Sequence, residues 1–344
     1  MSGVFEEKYF CAVNSGSGFI SYYSEMCSAA ERVFIIKGGP GTGKSSFMRR
    51  VSELAKRHGK NVKYYYCSSD PASLDAVMID GTTLFLDGTP PHSAETELAG
   101  VKDNIIDLGA FWDCAKLIDQ KKEIARLTSE KKRAFAKAYH FLAAAKETVL
   151  VKDEEICPCV LREKMKYAAE RMISKAKKGK EFTQTSVVTN SYGMRGSVYF
   201  NTLEKLASER ISVPNQFGAS HIFLEQIISA AKEKKLAITV SRDPLIPERP
   251  DAVLVHSLDR LYFIGNGGDK SVNMLRFFDS VAFKEVKSRQ KHLSSLTLEL
   301  LDNAKKCFEC AAEYHFSLEK IYGKAMDFAL KEEFTDNFLS EMFI

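Results

Sequence analysis

Eight residues early in the chain, Gly38-Gly39-Pro40-Gly41-Thr42-Gly43-Lys44-Ser45, have the types and spacing to hold a phosphate. They fit G-x-x-x-x-G-K-[ST], and the chemistry explains the pattern. Glycines let the backbone turn its N–H groups inward as a nest for phosphate oxygens. Lys44 is placed to reach the β- and γ-phosphates of a nucleotide, and the Ser45 hydroxyl to ligate Mg²⁺. Ser46 follows in the first turn of a helix whose positive end adds to the anion site. The competing reading is a glycine-rich turn with an incidental lysine.

Other candidates lie downstream. Asp87 closes the apolar strand Thr83-Leu84-Phe85-Leu86, where a carboxylate can share the Mg²⁺; otherwise Asp87-Gly88 is a turn. No Glu follows it, so the base that activates water is unassigned, with Glu95 and Glu97 nearby. Asp70, after the strand Val62–Tyr66, either faces the ligand crevice or caps a turn before Pro71. His92 either touches the γ-phosphate or is a surface loop residue. A cation for the transition state could come from Arg195, Arg210 or Arg242. His140 and His315, each between aromatic residues on a helix, read as packed or hydrogen-bonded histidines.

The elements that must position these groups are legible in outline. Val33-Phe34-Ile35-Ile36 is a continuous apolar run, the mark of a buried strand. Behind the loop, Phe47, Val51, Leu54 and Ala55 share one helical face, and Gly59 ends it. Residues 8–14 read as a strand, 22–30 as a short helix, and about 103–180 as mostly helical. The pattern then recurs. Asn14-Ser15 matches Asn190-Ser191, Glu31-Arg32 matches Glu209-Arg210, and Phe47-Met48 matches Phe223-Leu224. Ser68-Ser69-Asp70-Pro71 matches Ser241-Arg242-Asp243-Pro244, Asp75-Ala76-Val77 matches Asp251-Ala252-Val253, and Tyr139-His140-Phe141 matches Tyr314-His315-Phe316. Offsets of 173 to 178 residues in constant order predict an old duplication. The second copy puts Ala219, Ser220 and His221 opposite Gly43, Lys44 and Ser45, and Gly265 opposite Asp87. Features confined to the first copy are therefore the candidates for chemistry.

Composition bounds the rest. The 344 residues are 45% hydrophobic and 27% charged with a net charge of +4, an ordinary globular mix that permits nucleotide binding without demanding nucleic acid. Lys and Arg cluster at 121–137 and 162–180, where interleaved Glu and Ala suggest solvated helix faces rather than a nucleic-acid or protein contact. No apolar run nears the ~18 residues of a membrane span, and the absence of an apolar leader with eight cysteines predicts a cytoplasmic protein with reduced thiols. Cys157-Pro158-Cys159 and Cys307-Phe308-Glu309-Cys310 have poor spacing for zinc.

Three blocks together, Ile35 through Ser45, Cys67-Ser68-Ser69-Asp70-Pro71-Ala72-Ser73-Leu74-Asp75, and Leu86-Asp87-Gly88-Thr89-Pro90-Pro91-His92, resemble a bacterial family of duplicated P-loop ATPases. Phe111-Trp112-Asp113 and Ala138-Tyr139-His140-Phe141-Leu142 add to the resemblance. It implies ATP binding and hydrolysis without an assigned physiological substrate. Residues 214–221 depart from a family pattern that allows a working loop in each half.

The expectation is an α/β protein of two P-loop-like lobes, 1–184 and 185–344, each a mostly parallel sheet flanked by helices. A helical hairpin late in each lobe (about 103–180 and about 271–330) completes it. The first lobe is expected to bind Mg²⁺ and ATP through Lys44, Ser45 and Asp87. Alternatives are a kinase that transfers the γ-phosphoryl group, and a non-catalytic nucleotide switch acting on a protein partner or a second copy. The chain has no Asn-Lys-x-Asp stretch, which favours adenine over guanine.

Overall fold

A computed structural model describes residues 6–90, 94–215 and 217–342. Strand β1 (Glu7–Phe10) and the hairpin β2 (Ala12–Ser15) and β3 (Gly18–Ser21) come first, then α1 (Tyr23–Ala29), β4 (Arg32–Lys37) and α2 (Lys44–Arg57). Strands β5 (Val62–Tyr66), β6 (Leu74–Ile79), β7 (Thr83–Asp87) and β8 (Asp103–Asp107) follow, then α3 (Cys114–Asp119), α4 (Lys121–Ile156) and α5 (Arg162–Met172). The second half runs β9 (Thr183–Val187), β10 (Asn190–Gly193), β11 (Gly196–Tyr199), α6 (Thr202–Leu206), β12 (Glu209–Val213) and α7 (Ser220–Glu233). It ends with β13 (Ala237–Arg242), β14 (Pro250–Val255), β15 (Arg260–Ile264), β16 (Lys270–Ser271), α8 (Ser280–Lys324) and α9 (Phe328–Met342).

The protein is α/β, with two six-stranded sheets flanked by helices. Their strand orders, β1-β5-β6-β7-β4-β8 and β9-β13-β14-β15-β12-β16, are the same order twice. Each sheet pairs its strands parallel, antiparallel, antiparallel, parallel, parallel along that order. In each sheet five strands run one way and a single strand, β6 or β14, runs against them, so the sheets are mostly parallel but mixed. The reason is β6, a strand the sequence reading passed over. It turns back through Asp80 and Gly81, whose φ angles of 50° and 73° suit a tight hairpin. Asp103–Asp107 is likewise a strand at the sheet edge, not the start of a helical region.

The backbone register separates true equivalences from accidental ones. The pairs Phe47/Phe223 and Asp75/Asp251 stand at matching positions. The Ser68 and Ser241 stretches do not. Ser73 N–H donates to Asp70 O where Arg249 N–H donates to Ile246 O, so the counterpart of Asp70 is Ile246 rather than Asp243. Ile36 pairs with Asp87 where Val213 pairs with Ile264, so Ile264, not Gly265, stands opposite Asp87. Beyond β8 the match of Tyr139 to Tyr314 fails. Asp113 and Asp279 precede the equivalent helical segments, and the first half carries a longer segment between β7 and β8 than the second does between β15 and β16.

Each half lends helices to the other. The face of the first sheet under α2 buries Phe34, Phe47, Met48, Val51 and Phe85, and Leu339 of α9 completes that cluster. The equivalent face of the second sheet buries Val213, Phe223 and Ile227 with Met165, Ala168 and Ala169 of α5. Each fully buried large apolar side chain contributes roughly 1.5–3 kcal/mol, so these exchanged helices are integral to both cores. The long helices α4 and α8 do not fold back as separate hairpins within their halves. They pack antiparallel against each other: Phe308 meets Phe135 and Tyr139, Gln290 meets Lys152, and Arg289 meets Glu155. A late hairpin in each lobe is corrected to one interhalf helix pair. Among the described residues no helix is long and apolar enough to cross a membrane.

Candidate functional site

The glycine-rich segment joins the end of β4 to the start of α2, next to the end of β7 that carries Asp87. Gly41 and Gly43 have φ of 74° and 84°, with Thr42 between them outside the left-handed region. That alternation turns successive N–H groups to one side, the geometry of an anion nest. Only glycine adopts it freely. A Cβ on Gly38 would stand 2.8 Å from Thr42 Oγ1, and Thr42 Oγ1 in turn donates to Gly39 O at 3.0 Å. Pro40 and the rest of the loop are half-buried, Thr42 is buried, and Ser46 is exposed on the first turn of α2.

Lys44 folds back over this loop. Its Nζ donates to Gly38 O (2.9 Å) and Gly39 O (2.8 Å) and lies 3.6 Å from Asp87 Oδ2. Asp87 Oδ1 accepts from the Thr89 backbone N–H at 2.9 Å and from its hydroxyl. Burial pushes the Asp87 carboxyl above the ordinary carboxylate range; Lys44 opposes the shift and Asp75 adds to it. Ser45 Oγ accepts from Leu74 N–H at 3.0 Å, which ties the loop helix to the start of β6. Of the three residues expected to act together, Lys44 and Asp87 lie 3.6 Å apart, and Ser45 follows Lys44 in the first turn of α2. A hydroxyl and a carboxylate are hard oxygen donors of the kind Mg²⁺ takes alongside phosphate oxygens and water, so this pair fits that ion.

Asp70 lies in the segment between β5 and β6, just before Leu74, whose N–H bonds to Ser45. Its Oδ1 accepts from Ala72 N–H at 3.2 Å and from Arg195 Nε at 2.5 Å. Arg195 sits on the β10–β11 turn of the second half, and Met194 N–H donates to Ser69 O at 2.7 Å beside it. Arg195 is thus the one arginine of the three candidates held against this site. Arg210 pairs with Asp269, and Arg242 bonds Ser186 and Glu248, all in the second half. Glu95 and Glu97 are exposed. His92 lies outside the described residues. His140 is exposed rather than packed, and His315 lies 3.5 Å from Glu319. Cys157 and Cys159 belong to the second sheet's core and Cys307 to the α4–α8 contact, so the two cysteine pairs are apart.

Several groups at the loop had no local signal in the sequence. Lys37, the last residue of β4, donates to Gly88 O at 2.8 Å and Ala94 O at 3.2 Å. A Cβ on Gly39 would be 3.1 Å from the Trp112 ring and 3.5 Å from Tyr322, and one on Gly41 would be 2.6 Å from Glu319 O. The end of α8 therefore lies directly on the loop, and only glycine permits that approach. Lys331 of α9, with a 1% exposed side chain, comes within 3.4 Å of a Cβ on Gly43 and donates to Glu332 at 2.7 Å. Burial lowers the Lys131 ammonium below its ordinary value; Glu319 opposes that shift and Lys44 adds to it. Only Lys37 was within reach of sequence reasoning, since it adjoins the loop; Trp112 arrives from the segment between β8 and α3, and the others from helices remote in the chain.

The second half has no such loop. Between Val213 and Phe223 there are nine residues where ten separate Ile36 from Phe47, and among the described residues of that segment Gly218 alone has a left-handed φ, 86°. Ser220, in the place of Lys44, donates to Pro214 O at 2.9 Å. His221, in the place of Ser45, makes a 2.8 Å bond to Gly218 O, and burial with the nearby Arg249 pushes its pKa down to about 4. Arg249 pairs with Asp153 of α4 at 2.5 Å. Comparison of the chain with family models, with curated proteins and with solved structures found no match.

Proposed function

We propose that the first half binds ATP with Mg²⁺ and hydrolyses the bond to its terminal phosphate. The observation that supports this best is the convergence of a left-handed glycine pair, a lysine and a strand-end carboxylate on one loop, set beside a second half that keeps the topology and lacks all three. In this reading the loop amides hold phosphate oxygens, and Lys44 exchanges its two carbonyl partners for the phosphates. Lys131, whose charge is disfavoured by burial, is relieved by an anion nearby. Mg²⁺, when bound through Ser45 and Asp87, would neutralise charge on the phosphates. Arg195 stands at the rim, so a modest shift of the β10–β11 turn can trade Asp70 for charge developing on the leaving phosphate. The two halves are read as products of one duplication, the second having kept its sheet and lost its nest.

A second reading is favoured by one contact. The Asp70–Arg195 pair links the halves across the site, so nucleotide occupancy can set how the halves engage and thereby serve as a switch. Phosphate release under saturating Mg·ATP separates the two. Turnover that vanishes in Lys44→Ala, with unchanged thermal unfolding, supports hydrolysis. Tight ATP binding without turnover supports the switch, and ATP turnover unaffected by Lys44→Ala defeats both.

A further inference from the structure

A cavity of about 450 Å³ opens beside the loop of the second half, lined by Phe217, Lys284, Lys287, Ser288, Gln290, Lys291 and Ser294. Its size falls within the range of small-molecule sites. Lys284, Lys287 and Lys291 recur at three- and four-residue intervals, so they form one stripe along α8. Like charges so placed repel one another, and among the described residues none of the three has a carboxylate partner. A bound polyanion removes that repulsion.

Two further features face the same space. The Phe217 ring is fixed by Phe283 and Phe278, at centroid distances of 4.4 and 6.1 Å, and offers an aromatic wall. Gln290 is fully buried; its Nε2 donates to Lys152 O at 2.7 Å, which fixes the amide orientation. Its Oε1 has no partner among the described residues. A buried acceptor left unpaired is costly, and a ligand N–H satisfies it if the Gln290 amide, which lines the cavity, turns its oxygen toward it. Cations, an aromatic wall and one orphan acceptor together describe a ligand with phosphates, a planar ring and a ring-borne donor. From this geometry we infer that the cavity is a second site for a nucleoside polyphosphate. It grips the phosphates with side-chain ammonium groups rather than a backbone nest. The site is independent of Lys44, and it gives the half without a P-loop a ligand of its own.

The test is calorimetric titration of the full chain with ATP, GTP, CTP, UTP and inorganic tripolyphosphate. Lys44→Ala removes the first-half site from the measurement. In that background at least one nucleotide is expected to bind at one per chain. The exposed pair Lys287→Glu with Lys291→Glu is expected to weaken it at least tenfold, and tripolyphosphate is expected to bind at least tenfold more weakly than the nucleotide. The inference is overturned if the Lys44→Ala chain binds no nucleotide, if charge reversal leaves its binding unchanged, or if tripolyphosphate binds as tightly. Failure of the first-half reading looks different: charge reversal alone would then abolish all nucleotide binding in the otherwise unaltered chain.

Discussion

The loops 38–45 and 214–221 sit at the same place in two copies of one topology, between equivalent strands and helices. What differs is how each settles its charges. The first leaves Lys44 held by two carbonyl oxygens and one carboxylate 3.6 Å away, with Lys37, Lys131 and Lys331 near it. The second bonds within itself, Ser220 to Pro214 and a neutral His221 to Gly218, while the nearby Arg249 is paired with Asp153 of α4. A sheet and its helices can thus be kept by apolar burial alone, while the proposed phosphate site gathers cations that folding by itself does not favour. The comparison teaches that the glycines matter for two reasons. They shape the nest, and they admit the end of α8, since a side chain at Gly41 would meet Glu319 O.

That contrast can be broken at four points. Lys44→Ala should weaken ATP binding about 100-fold, the loss expected for a charge-assisted contact in a partly buried site, whereas Ser220→Ala should leave it unchanged; equilibrium dialysis reads both. Asp87→Asn should reduce magnesium-dependent turnover by about 10- to 100-fold, while Ile264→Asn should not touch it, as measured by phosphate release across magnesium concentrations. Arg195→Ala should lower kcat by at least about tenfold with a smaller effect on KM, and Arg210→Ala should change neither. An equal loss for the two arginines would remove Arg195 from the site.

The smallest effect concerns stability. His221 has a folded pKa of about 4, below its unfolded value of 6.5. The unfolded chain therefore takes up a proton first as pH falls. His221 contributes no penalty above pH 6.5, and stability is lost as pH drops from there toward 4. Allowing for solvent screening of a half-buried ring, the loss is about 1–2 kcal/mol. Denaturant unfolding of the parent and of His221→Gln should diverge over that window and run parallel above it. Parallel curves throughout would mean that the ring is not held neutral.

Much of the first-half site was legible because its parts are local. Four apolar residues, a glycine run and an amphipathic stretch give strand, loop and helix in order, and Asp87 closes a later apolar strand. The rest was carried by contacts that no local pattern encodes. Strand β6 was passed over because Asp75 interrupts its apolar run, although the Asp80-Gly81 turn announced a hairpin. Asp70 appeared to have a twin in Asp243 because both precede proline, and only hydrogen-bond register shows that Asp243 caps its own turn while Asp70 is unique to the first half. The sequence marked about 103–180 and about 271–330 as helical without naming a partner for either, so a hairpin was expected within each half. Glu319 and Tyr322 reach the loop on α8 and Lys331 on the exchanged helix α9, while Trp112 comes from the segment after β8.

The central claim is that phosphate is held by the amides of 38–45 and not by those of 214–221. Amide hydrogen exchange with and without Mg·ATP tests it most directly, in a chain carrying Lys287→Glu and Lys291→Glu so that only the two loops are compared. The account predicts slowed exchange in the peptide spanning 38–46 and unchanged exchange across 214–221. Protection of the second loop alone, or of neither, would contradict it.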